Sequence, residues 1–306
     1  MEKAQKSFKL KNALYLLLVL PLLFLFTACG GDAATAQLRT EASCDTSGEY
    51  ATEASQAEYE EIIGEQTDFA SNAYRMTAKM SLTMPKTDEE QKPIYDEQGN
   101  VVTEEVEFTT INMIIKENQT DPTAVTYEAA IKVRMSNIFK SVLDDKDLPD
   151  YYEMYMYFKD GKMYSEDEDG NKTYQEMDFY EIFYAEEMEM MSFICLEDIL
   201  DVVDYADTVT VTKQDNNFKL VADDAMVIYG QEIDAGAVVY VNFNNEGDVV
   251  AAQVEFSMSF FGMATMNSTF TVSEFNGDIA FPDFSKYVEA TDTNDDALDD
   301  YSDFFD

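Results

Sequence analysis

The chain has 306 residues, of which 62 are Asp or Glu, 20 are Lys or Arg and none is His, giving a formal net charge of -42. Such a polyanion is repelled by DNA, RNA and anionic head groups, whose recognition needs clustered Lys and Arg. A chain without His also lacks the usual general base, the common catalytic triads and most zinc and copper ligand sets; no G-x-S-x-G or G-x-x-x-x-G-K run offers another chemistry, so a non-enzymatic protein without a cofactor is expected.

At the N-terminus, Lys3, Lys6, Lys9 and Lys11 precede an apolar run over 13–26. Its 14 residues fall short of the roughly 20 that cross a hydrocarbon core, so the run predicts a cleaved signal and not a membrane-spanning anchor. The stretch Phe26-Thr27-Ala28-Cys29 that closes it resembles the lipobox of bacterial lipoproteins, with Phe26 where Leu is usual. That resemblance implies a diacylglycerol on Cys29, cleavage before it, and anchoring on the outer face of the bacterial cytoplasmic membrane. Two acyl chains suffice for stable anchoring where one is marginal.

Residues 1–28 are thus read as signal peptide and 29–57, rich in Gly, Ala, Ser, Thr and Glu, as the lipidated Cys with a flexible tether. A β-rich domain is expected over 58–288 and a disordered acidic tail over 289–306. Besides Cys29 there are only Cys44 and Cys195, too few for a disulfide framework.

Within the domain, Tyr59, Ile62, Ile63, Phe69, Ala70 and Ala73 recur at helical spacing and predict an N-terminal helix. Period-two alternation follows. In 74–84 the even positions are Tyr, Met, Ala, Met, Leu and Met and the odd ones Arg, Thr, Lys, Ser and Thr, which predicts a strand with one buried and one wet face. In 106–115 the apolar parity changes near Thr110, as a bulge requires. Further strands are read at 125–136 and 152–158, the latter turning at Asp160-Gly161 into 162–165, and then at 208–213, 218–222, 237–243, 250–260 and 264–272. Between them, 178–204 carries Ile182, Phe183, Met188, Met191, Ile194, Ile199 and Leu200 at helical spacing and predicts a central helical insertion.

The expected fold class is α+β: a large twisted antiparallel sheet covered by the N-terminal helix and the helical insertion. This order of elements, with the ending Thr271-Val272-Ser273-Glu274-Phe275-Asn276-Gly277, resembles the LolA and LppX type lipoproteins. The resemblance implies an open half-barrel whose apolar face holds an acyl chain or another hydrophobe.

Two groups of residues carry candidate sites. Seventeen Met are more than a rigid core needs, and an unbranched, polarizable side chain suits a surface that accepts varied apolar ligands. The hydrophobic-ligand set is Met76, Met80, Met84, Met154, Met156, Phe158, Met188, Met191, Phe256, Met258 and Met266; the alternative is that the same residues fill an irregular core. The run SEDEDGNKTYQE over 165–176 places Asp167, Asp169 and Glu176 at ligand positions of a Ca²⁺ loop, but Ser165 replaces the first Asp, and Asp169-Gly170-Asn171 also reads as a hairpin turn. Two functions follow: a membrane-anchored extracytoplasmic lipoprotein that binds a lipid or other hydrophobe, or a cell-envelope interaction module with a filled core and no small-molecule ligand.

Overall fold

The computed structural model describes residues 32–55, 57–59, 72–88, 92–121, 124–136, 151–166, 171–177, 209–228, 231–260 and 264–290. Among these, thirteen strands form one sheet in the order β1-β8-β9-β10-β11-β12-β2-β3-β4-β5-β6-β7-β13. The main strands are β2 (Ala73–Pro85), β3 (Thr103–Asp121), β4 (Ala124–Ser136), β5 (Tyr151–Lys159), β6 (Lys162–Glu166), β7 (Lys172–Glu176), β8 (Val209–Gln214), β9 (Asn217–Ile228), β10 (Gln231–Phe243), β11 (Val249–Phe260) and β12 (Ala264–Glu274). They make two antiparallel meanders, β2 to β7 and β8 to β12, joined where the last strand of the second pairs with the first strand of the first.

The α+β expectation is corrected by this architecture. The described chain is nearly all sheet, and its helices are short: α1 (Asp32–Gln37) and a single 3-10 turn at Phe284–Lys286. Of the two covering helices expected over 59–73 and 178–204, residues 60–71 and the whole of 178–204 lie outside the described residues; Tyr59 is buried against Phe218 with ring centroids 5.7 Å apart.

Alternation in the sequence becomes two unlike faces because antiparallel partners share a face. Val211, Leu220, Val239, Val254, Phe270, Ala78, Ile111, Val133 and Met154 stand side by side on successive strands from β8 to β5. Leu220, Val239 and Met113 on this face are wholly buried, and full burial of one such side chain stabilises by about 1.5–3 kcal/mol. The opposite face is polar and held by ion pairs, Lys132 to Glu153 at 2.8 Å, Lys159 to Glu128 at 3.2 Å and Lys162 to Glu176 at 3.1 Å. The expected parity change in β3 is a β-bulge: Met80 pairs with Thr109 and Ser81 with Glu107, leaving Phe108 as the extra residue.

The segment read as a tether is part of the fold. Ala34 of helix α1 and Leu38 just after it are buried in a small cluster on the polar face with Ile114, Ala130, Tyr155, Tyr157 and Ile279. From there the chain runs extended across the sheet. Arg75 donates to the Thr40 carbonyl, Ala42 N donates to Thr77 Oγ1 at 2.8 Å, and Asp45 N donates to Asn242 Oδ1 at 2.6 Å. It ends as β1 (Thr52–Glu53) on the free edge of β8. Apolar periodicity is a poor guide to such a strap, because its bonds come from its backbone and from partners distant in sequence.

The other edge is closed in the same way. β13 (Val288–Glu289) pairs in parallel with β7, so the last strand reaches into the region read as tail, whose remainder from 291 lies outside the described residues. Two-residue strands thus cover part of the edge at both ends of the sheet. Tyr164 stacks on Phe284 at 3.8 Å, and Tyr157, Phe281 and Tyr287 complete the aromatic cluster that fastens this C-terminal segment.

The Asp160-Gly161 turn between β5 and β6 forms as read, both residues taking positive φ (55° and 69°). A β-branched residue resists that region, so Gly161→Val is expected to destabilise the domain by roughly 1–2 kcal/mol in urea denaturation.

Candidate functional site

The Met face is assembled by register across β11, β12, β2, β3, β4 and β5. Met76 stands between Val272 and Met113, which in turn faces Ile131, opposite Met156. Met154 lies one row along, and Phe158 lies between Ala129 and Met163. Met258 pairs with Met266, and Met266 with Leu82. Met84 belongs to the same face at the end of β2, opposite Glu104, and is half-buried; Phe256, between Ala237 and Ser268, is half-buried too. The structure therefore brings nine of the expected residues to one face of the sheet, while Met188 and Met191 lie outside the described residues.

Sequence reading missed Met113, Met135 and Met163, which also belong to this face or pack against it. The signal for Met113 was present, since the parity beyond the bulge makes 111, 113 and 115 a buried set.

Burial is nearly complete at the centre of this face: Met76 and Met80 are 3% exposed and Met113 not at all. Two polar atoms share that burial. Among the described residues Thr109 Oγ1 and Ser268 Oγ have no hydrogen-bond partner, and they flank Met80, which pairs with Ser268 on one side and Thr109 on the other. Each orphaned hydroxyl costs about 1–3 kcal/mol. In the row Ala237, Phe256, Ser268, Met80, Thr109, Met135 no side chain is charged.

The opposite face has a depression of about 570 Å³ over β10 to β12, lined by Glu255, Ser257, Ser259, Thr265, Asn267 and Thr269 above Gly236. Ala237, Phe256 and Ser268, which share the register of Met80, also line it.

Of the Ca²⁺ candidates, Asp167 and Asp169 lie outside the described residues. Glu176 ion-pairs with Lys162 across a hairpin in which Ser165 is opposite Thr173, and it sits at the strand end away from the turn.

Cys44, in the strap, is a free thiol beside Asn242 Oδ1 at 3.2 Å. Burial, with Asp45 and Glu255 nearby, pushes its pKa up to about 12, and burial also pushes that of Tyr50 in the same strap up to about 12. In the unfolded chain both groups release their protons at lower pH than in the fold, so the native state binds more protons above pH about 9, and stability falls as pH rises from there to 12. Cys44 is expected to resist iodoacetamide at pH 8 in the native protein and to react within minutes in 6 M guanidinium, as read by peptide mass. Full alkylation of Cys44 without denaturant would contradict this burial.

Cys29 and Cys195 lie outside the described residues, and among those described no helix is long and apolar enough to cross a membrane. No family model and no curated protein matches the chain. Among solved structures it is similar to the S-type phycobiliprotein lyase CPES from Guillardia theta, at 10% identity over 74% of this chain and 95% of that one, with a TM-score of 0.21. It is also similar to the ywiB protein from Bacillus subtilis, at 7% identity over 67% and 93% of the two chains, with a TM-score of 0.16. At these TM-scores neither likeness bears on what the chain does.

Proposed function

We propose that this chain is an exported bacterial lipoprotein, diacylated at Cys29 and held on the outer face of the cytoplasmic membrane, which binds a lipid or similar hydrophobe on the Met-rich face of its sheet and catalyses no reaction. The observation that carries the reading is the charge-free row of Met and small residues running through Met80. A rigid core built for stability alone favours Leu, Ile and Val in fixed rotamers; flexible thioethers let a surface repack around ligands of different shape. The N-terminal pattern of Lys, apolar run and Cys supports export and anchoring.

A second reading, an envelope interaction module with a filled core, draws on the near-complete burial of Met76, Met80 and Met113. Native mass spectrometry of the domain purified from its host, together with titration by an environment-sensitive apolar fluorophore, separates the two. The binding reading expects co-purified lipid mass or saturable fluorescence at micromolar probe, and Met80→Asp abolishes it. Neither signal in the folded wild-type domain would leave the filled-core module.

A further inference from the structure

Among the described residues, Thr109 and Ser268 carry buried, unpartnered hydroxyls on the Met face that the hydrophobe-binding reading leaves unused. Ser268 is 1% exposed and Thr109 3%, and each sits across one strand spacing from Met80, roughly 5 Å at the backbone on either side. A core with no ligand gains nothing from them, since Ala and Val would fill the same space without stranding a donor. The chain also takes a specific step to place one of them. The bulge at Phe108 resets the alternation of β3, so that Thr109 joins the apolar row and Thr110 the polar face, where its hydroxyl reaches Glu107 at 2.7 Å. Bulges that re-aim a single side chain occur preferentially beside binding sites.

We infer that Thr109 and Ser268 form two polar anchor points within the Met face, and that the ligand is a single-chain amphiphile whose uncharged head, a hydroxyl or carbonyl, hydrogen-bonds to one of them while its chain lies along the Met rows. This rests on the hydrophobe-binding reading and sharpens it. The head is neutral because the row around Met80 holds no Lys or Arg to match an anion and no carboxylate to match a cation. Burying an ion there would cost far more than burying a hydroxyl that finds a partner. A hydroxyl group both donates and accepts, which satisfies either side chain.

The test is competition against a bound apolar fluorophore by three twelve-carbon ligands: 1-dodecanol, 1-chlorododecane and, at pH 8, laurate. The wild-type full-length protein is expected to bind dodecanol at least tenfold more tightly than chlorododecane or laurate. Thr109→Val with Ser268→Ala, changes that preserve shape, is expected to bring dodecanol within about twofold of chlorododecane while leaving chlorododecane affinity unchanged. Equal affinity of the wild type for alcohol and chloride overturns the anchor but leaves hydrophobe binding standing, as does an alcohol preference that survives in the double variant. A higher melting temperature in the double variant with unaltered ligand ranking likewise overturns it, assigning the hydroxyls to packing alone. Failure of all three ligands to displace probe, or of the probe to bind, overturns the binding reading and the anchor together.

Discussion

Changing Cys29 to Ser is expected to eliminate the diacylated mature form entirely, leaving protein that is either cut elsewhere and released to the medium or retained as uncleaved precursor. On the anchoring proposal the effect is all-or-none, because the acyl chains would carry the attachment. Each buried CH₂ contributes about 0.8 kcal/mol, and two chains give far more than a single one, which binds only marginally. Surface charge cannot substitute: a chain of net charge -42 is pushed away from anionic head groups. Fractionation combined with the mass of the N-terminal peptide reads the result, and a lipid-modified, membrane-bound Cys29→Ser protein would sink the anchoring proposal. The fold sharpens the consequence of the anchor. Cys29 is three residues from Asp32, where α1 begins, and three extended residues reach about 10 Å. A lipidated chain would therefore hold its sheet close to the head groups, with the strap lying on the domain instead of spacing it from the membrane.

Leu38→Ala is expected to lower stability by roughly 2–5 kcal/mol, the range for removing a well-packed core Leu. Leu38 is 1% exposed and joins α1 to Ile114, Ala130 and Tyr157 on the otherwise polar face. The loss should be concentrated in the strap. Amide exchange is expected to accelerate strongly over 34–53, where the bonds to Arg75, Thr77 and Asn242 release together, and much less at Val239, Ile111 and Ile131 in the sheet centre. Measurement by hydrogen-exchange mass spectrometry checks this, and uniform acceleration across sheet and strap would show that the strap does not open as a separate unit.

Strand positions and their two faces were legible in the sequence because alternation is local: β2, β4, β5 and β11 begin and end within one or two residues of the expected bounds. The bulge in β3 was legible too, as a change of parity. Less accessible were elements without periodicity of their own. β1, β13 and the 41–50 crossing are held by backbone bonds and by Arg75, Asn242 and Tyr240, residues 35 to about 200 positions away, so their composition resembles that of a solvated linker. β9 and β10 extend beyond the bounds expected from sequence, to Ile228 and from Gln231, because their pairing with each other continues the ladder that far.

The Met set illustrates the same division. From sequence, Met76, Met80, Met154, Met156, Met258 and Met266 belonged to separate strands whose order was unknown; the pairing of β12 with β2 is what places Met266 in the same face as Met80 and Met154. Thr109 and Ser268 could not be singled out in advance, since a Thr or Ser in a strand is ordinary until its neighbours are known and its hydroxyl is found without a partner.

By itself, the sequence determined what depends on composition and short range: the acidic charge, the absence of His chemistry, the N-terminal Lys, apolar run and Cys29, and the alternating strands. Only the tertiary structure decided what depends on long-range register. It joined two meanders into one sheet, turned the supposed tether into a strap, gave Glu176 to Lys162, and set two unpartnered hydroxyls beside Met80, because hydrogen bonds between distant strands, and not local preference, fix which residues meet.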